Sequence, residues 1–151
     1  MSEPAPKVGI LDWILFVRFI LAFIGTLLFF EVVQRVAFRI GPEMHQRSVR
    51  ALNRALLRCL RLVGTRFEID SRSLDKAGSP HIIVSNHQSM FDIPLLDAVF
   101  GAHQPRFIAK QELGRGIPSV SYNLRMGGAA LIDRSNPRQA LPEIKRLGRA
   151  M

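Results

Sequence analysis

The chain opens on an apolar block, "ILDWILFVRFILAFIGTLLFFEVV" (residues 10–33), broken only by Asp12, Arg18, Thr26 and Glu31. Its charge-free middle, residues 19–30, is shorter than the ~20 residues a helix needs to cross a bilayer, but with its flanks the block is long enough. Arg18 lies off-centre, where its stem can snorkel to an interface, and Trp13 sits near one end, where an amphipathic aromatic favours headgroups. No small-residue cleavage site follows, which speaks against a cleaved signal peptide. A core helix this apolar all round would need a larger protein to cover it. The block is therefore expected to enter a membrane, spanning it or half-embedded, with residues 1–41 as the membrane segment.

From residue 42 to 63 the pattern turns amphipathic. Arg47, Arg50, Arg54, Arg58 and Arg61 recur three and four apart, so on a helix they share one narrow sector. Val49, Leu52, Leu56, Leu60 and Val63 form the opposite stripe, and Gly64 supplies a stop. Residues 42–64 thus read as a basic amphipathic helix. Beyond it, short β-branched runs alternate with helical ones. Strands are expected at "RFEID" (66–70), "HIIVS" (81–85), "RFIAK" (106–110) and "AALID" (129–133), with a loop at 70–80. Helices are expected from Phe91 with Pro94 in the first turn, before Gly127, and from Pro137 with Asn136 as N-cap. The predicted fold class is α/β: membrane-associated N-terminal helices, then a largely parallel sheet with flanking helices over residues 65–151.

Charge sharpens this picture. The 151 residues carry a formal net charge of +9, and apart from Lys7, Lys76, Lys110 and Lys145 every basic residue is arginine. Arginine's planar fork suits phosphate and carboxylate, so an anionic partner is expected. Nucleic acid is not, since neither zinc-finger spacing nor an aromatic-basic RNA-binding motif is present. Five arginines on one face, just after a membrane block, suggest contact with anionic lipid headgroups. Arg35, Arg39, Arg47 and Arg50 follow that block and only Lys7 precedes it, which puts the remainder on the cytoplasmic side. The single Cys59, among leucines, reads as packing and excludes an internal disulfide framework and a cysteine-based zinc site.

Candidate chemistry centres on "SNHQSMFDIPLL" (residues 85–96). His87 falls just past a predicted strand and Asp92 in the first turn of the next helix, where open α/β sheets place ligands. Asp92 can fold back to one imidazole nitrogen and leave the other free as a base. Equally, Asp92 or Ser89 can simply cap the helix. His45, His81 and His103 lack partners at useful spacing and read as structural or exposed, and no metal is implied.

The surroundings carry a resemblance. "NHQSMFD" resembles the N-H-x-x-x-x-D signature of the glycerophospholipid acyltransferases, whose best-known members are the lysophosphatidate acyltransferases. "GGAALIDR" (127–134) resembles that family's G-x-x-(F/L)-(I/V)-x-R element, and "KQELGRGIPSV" its K-x-E-L stretch before a proline. The three blocks come in the family's order and spacing. The resemblance implies that His87 is a general base on the acceptor hydroxyl, oriented by Asp92. Lys110, Gly128 and Arg134 would serve the substrate, the two cations on the acceptor phosphate. It implies acyl-CoA or acyl carrier protein as co-substrate, no cofactor, and a lysophospholipid acceptor. The place implied is a membrane, expected to be a bacterial inner membrane with the catalytic part cytoplasmic.

The family's third block, of the type F-P-E-G-T-R-S, and its fourth are not found before Met151, so an incomplete domain from a partial reading frame is expected. Two rivals accompany the enzyme reading. One is an inactive family member that only binds anionic lipid. The other is a hydrolase using Ser89, disfavoured because no G-x-S-x-G elbow occurs.

Overall fold

The computed structural model describes residues 8–70 and 82–149. Helix α1, Ile10–Ile40, runs unbroken for 31 residues. It is long and apolar enough to cross a membrane by length and composition. Pro42 ends it, because a proline ring disfavours helical backbone at the preceding residue, and the same proline opens α2, Pro42–Arg61, at a position that needs no N–H. The expected stop at Gly64 is present as a Schellman motif. Thr65 N–H reaches Leu60 C=O at 3.2 Å, Gly64 N–H reaches Arg61 C=O at 3.1 Å, and Gly64 has φ +80°.

α2 folds back along α1. Leu27 of α1 meets Leu52 and Leu56 of α2 in the buried core, flanked by Phe23, Phe30, Phe91 and Val120. Each of those leucines contributes about 1.5–3 kcal/mol by leaving water. Cys59 is buried with its Sγ 3.6 Å from Thr26 Oγ1, which bears out its packing role. His45 is buried as well, edge-on to Phe38 and Tyr122. Burial covers only one side of α1. On its other side Leu21, Ile24, Leu28, Phe29 and Val32 stand exposed. On α2 the residues turned inward are His45, Ser48, Val49, Leu52, Asn53, Leu56 and Cys59. At 100° per residue the five arginines lie opposite that set, so they point away from α1.

The second half is more helical than its sequence suggests. α3, Asp92–Phe100, packs on α2 and ends in a 3₁₀ turn, Gly101–His103. β1, Ile108–Lys110, pairs in parallel with β2, Ala130–Ile132, in the register Ile108↔Ala130 and Lys110↔Ile132. Between them lie a 3₁₀ turn, Gln111–Gly114, and α4, Val120–Met126. α5, Pro137–Arg149, packs on β2: Gln139 bridges Asp133 N–H and Leu131 C=O, while Arg146 donates to Ala129 C=O. Asn136 C=O accepts from Gln139 and Ala140, as the residue before the first turn should.

Two of the four expected strands are therefore corrected. Residues 66–70 and 82–85 form no ladder, and Ile82 and Val84 are 88% and 89% exposed. β-branched composition favours a pleated surface only where a neighbouring strand supplies the hydrogen bonds. His81 and the expected loop at 71–80 lie outside the described residues. The sheet is parallel, as expected, but has two strands among the described residues rather than a larger set.

α4 is tied to α1 by Ser119. Its N–H donates to the Glu31 carboxylate at 2.5 Å, and its hydroxyl to Leu27 C=O at 2.8 Å. Val120 N–H reaches Pro118 C=O at 2.7 Å, so fully buried Ser119 (φ +62°, ψ −49°) is the centre of a γ-turn of the strained hand. Arg35, which also pairs with Glu31, stacks over Tyr122 at 4.9 Å.

Burial pushes the His45 imidazole below its ordinary value of 6.5. The unfolded chain takes up a proton near that pH and the folded one resists it. The contribution is thus complete above 6.5 and is lost as the pH falls below it toward the folded value. Thermal unfolding in detergent, followed by circular dichroism, should show a midpoint that drops between about pH 7.5 and about pH 5.5. His45→Leu should shrink that drop.

Candidate active site

The loop before α3 is organised by one carboxylate oxygen. Asp92 occupies the first position of α3, and its side chain turns back over residues 87–89. Oδ2 accepts from Gln88 N–H at 2.8 Å, from Ser89 N–H at 3.0 Å and from His87 Nδ1 at 2.9 Å. Ser89 Oγ accepts from Phe91 N–H at 3.2 Å, and Asp92 N–H returns to Ser89 C=O at 3.1 Å. Pro94 falls within the first turn, where no intrahelical donor is required. The capping and pairing readings of Asp92 thus describe the same oxygen.

The Ser89 N–H foremost, then the Gln88 N–H and the His87 imidazole, hold the Asp92 carboxyl below the usual carboxylate range, against a partial desolvation. An ionised carboxylate only accepts hydrogen bonds. In neutral His87 the proton is therefore on Nδ1, and Nε2 presents a lone pair. The His87 side chain is 67% exposed against 21% for Asp92, so that nitrogen is open to a substrate. Phe91 anchors the loop from beneath, 6.2 Å from Phe19 and 5.9 Å from Phe23 between ring centres. This sets the pair against the N-terminal half of α1.

Lys110 and Arg134 lie at the same end of the two strands, on another edge. Register puts Lys110 at the carboxyl end of β1 and Asp133–Arg134 just past the carboxyl end of β2. Lys110 pairs with Glu112 at 2.9 Å. The Ser135 hydroxyl first, then its N–H and the Lys110 charge, hold the Asp133 carboxyl low. Arg134 is exposed. Gly128 precedes β2 at its opposite end, with φ +78°, and a Cβ there would collide with the Arg106 guanidinium. The positive φ calls for glycine at that point, while the Arg106 guanidinium, at the end of a flexible side chain, could shift aside. Among the described residues, no hydrogen bond or ion pair joins His87 or Asp92 to Lys110, Gly128 or Arg134.

Three contacts near these elements escaped the sequence pattern, those of Arg106, Asp97 and Asn53. Asp97 is buried against α2, where it accepts from the Asn53 side chain. Burial raises its pKa, partly offset by that bond and by Arg50 and Arg54. A charged residue inside the apolar run "IPLLDAVF" was the available signal. Arg50 donates to Gly101 C=O at 3.1 Å and so fixes the far end of α3 on α2. Among the described residues, no cluster of three or more His, Cys, Asp or Glu side chains is arranged to hold a metal.

A family model described as Acyltransferase matches residues 66–151, more than half of the chain. Neither the curated proteins nor the solved structures gave a match.

Asp92→Ala should release the amides of Gln88 and Ser89. Hydrogen exchange should speed up there and stay unchanged at Ala130, whose N–H lies in the strand pairing with Phe107 C=O. Equal exchange at Gln88 and Ser89 in both proteins would show that Asp92 does not hold the loop.

Proposed function

The chain belongs to the acyltransferase family, and on that premise we propose which acyl group it moves and how. The donor is a fatty acyl thioester, acyl-CoA or acyl carrier protein. The acceptor is the free hydroxyl of lysophosphatidate or a related lysolipid, and the setting is phospholipid synthesis at a membrane. The observation carrying this reading is the 2.9 Å contact from His87 Nδ1 to an ionised Asp92, with Nε2 left open.

His87 Nε2 takes the acceptor hydroxyl proton as that oxygen attacks the thioester carbonyl. Asp92 offsets the positive charge that builds on the imidazole, as the aspartate of a serine-hydrolase triad does. The C–S bond then breaks, and the leaving thiolate takes the proton back from His87. The products are an ester and a thiol. The nucleophile belongs to the substrate, so Ser89 is free to serve the turn, its oxygen accepting from Phe91 N–H. Lys110 and Arg134 bind the acceptor phosphate, a point charge and a fork.

α1 is read as half-embedded rather than spanning. Its uncovered apolar side meets lipid while its other side packs on α2 and α4. A bilayer wrapped round the middle of α1 would draw Arg54 and Arg58 of the adjacent helix into hydrocarbon, at roughly 3 kcal/mol each. The setting that fits is the cytoplasmic face of a bacterial inner membrane.

Thiol release by the membrane-bound chain tests the proposal. Release should depend on lysophosphatidate, vanish in His87→Ala, and fall by about 10²–10⁴-fold in Asp92→Asn. Arg134→Ala should raise the KM for lysophosphatidate and spare an acceptor without phosphate. Release without any acceptor would favour a hydrolase. No release from folded, membrane-bound protein would leave a lipid-binding family member.

A further inference from the structure

α3 carries Asp92 at its first position, so whatever fixes α3 fixes the site. Its nine residues are too few to hold a helix alone in water, and its place comes from packing on α2. Apolar contact supplies part of that hold, through Phe91 on the cluster of Leu27, Leu52 and Leu56. Such contact is non-directional and tolerates a slide of one helix along the other. Register has to come from polar groups.

Two polar contacts join the helices, and their spacings match. Arg50 and Asn53 of α2 stand one turn apart, as do Asp97 of α3 and its C-cap, Gly101, so each pair shares a helix face. Asn53 and Asp97 are both buried, at 7% and 8% exposure, and the Asn53 side chain donates to the Asp97 carboxyl. Arg50 Nη1 donates to Gly101 C=O at 3.1 Å and supplies the cation that α3 lacks in its own last turn. The fit around Gly101 is close. A Cβ there would come within 3.2 Å of Arg50 Cδ and 3.4 Å of Asp97 Oδ1.

Arg50 with Gly101 and Asn53 with Asp97 set α3 antiparallel to α2 in one register. A slide of one turn along α2 would bring Asp97 to the level of Leu57 and leave a buried carboxyl without its amide. An apolar side chain at position 97 would meet no such penalty, and α3 is otherwise apolar at Pro94, Leu95, Leu96 and Val99. We propose that Asp97 is a positioning residue for acyl transfer: bonded to Asn53 and backed by the Arg50–Gly101 contact, it holds α3 in the register that brings His87 and Asp92 to the acceptor. It touches neither substrate nor the reacting atoms. Buried polar groups of this kind add little stability and select one packing among several. The proposal rests on the acyl-transfer reading above. Lys110 and Arg134 belong to the strand pair rather than to α3, so loss of the register separates acceptor binding from the acyl step.

The test uses the full membrane-bound chain with Asp97→Leu and Asp97→Asn. In Asp97→Leu, kcat should fall about 10–100-fold, because a shift of ~1 Å at the reacting groups is enough. The KM for lysophosphatidate should stay within about twofold, and the thermal midpoint should hold or rise. Asp97→Asn keeps an acceptor for the Asn53 amide and should keep most of kcat. Placement is read without turnover, from the pulsed-EPR distance between spin labels at exposed positions 65 and 98 (Thr65→Cys, Ala98→Cys) in a Cys59→Ala background. The distribution should be single in the otherwise unsubstituted chain and in Asp97→Asn, and shifted or broadened in Asp97→Leu. Full kcat or an unmoved distribution in Asp97→Leu would overturn the proposal. An equal loss in Asp97→Asn would also overturn it, assigning the role to charge beside Arg50 and Arg54 instead of to the bond. A lower midpoint and a raised KM alongside the lost kcat would make Asp97 a structural residue only. No turnover even with Asp97 in place, while Asp97→Leu still moves the label distance, would overturn the acyl-transfer reading and leave the register assignment standing.

Discussion

Among the described residues α1 is covered from one side, and the contact that covers it organises the molecule. Leu27 against Leu52 and Leu56 makes the core of the helical hairpin, and Phe91 and Val120 seat on the same cluster. One residue leads into α3 and the other begins α4. The loop with His87 and the sheet-bearing half thus both hang from a single patch of apolar surface. Glu31 and Leu27 C=O reinforce it by capturing Ser119, whose strained backbone is held by bonds to another helix. Weakening that patch would misplace the chemistry and not only lower stability.

The same constraint gives the site its geography. With one side of α1 on protein, its other side stands exposed and apolar, and Phe91 fixes His87 beside that helix. Asp92 meanwhile uses one oxygen for three donors. The bonds that shape the turn are the bonds that keep the carboxylate charged, so the imidazole tautomer follows from the loop's architecture.

Helices were legible because their signals are local. Pro42, Gly64, Pro94 and Asn136–Pro137 stop and start them near the expected places, and the α2 arginines share the expected sector. The His87–Asp92 pair was legible for the same reason, since five residues of chain bring both groups together. Strands at 66–70 and 82–85 were not, because a ladder depends on a neighbour that composition does not reveal. Nor does spacing show that Gly128 lies at the far end of β2 from Lys110 and Arg134. The sector occupied by the arginines came from periodicity, but which way it faces came from how α1 is covered. Asp97 and Ser119 owe their places to helices distant in sequence, and no local pattern marks such contacts.

Nitrogen-15 resonances of the His87 imidazole, in membrane-bound protein near neutral pH, test the central claim most directly. In the neutral imidazole, a charged and accepting Asp92 requires the proton on Nδ1 and none on Nε2, with the Nδ1 signal disturbed in Asp92→Asn. A neutral imidazole with its proton on Nε2 instead of Nδ1 would leave no lone pair there for the acceptor hydroxyl and would contradict the role of His87 as base.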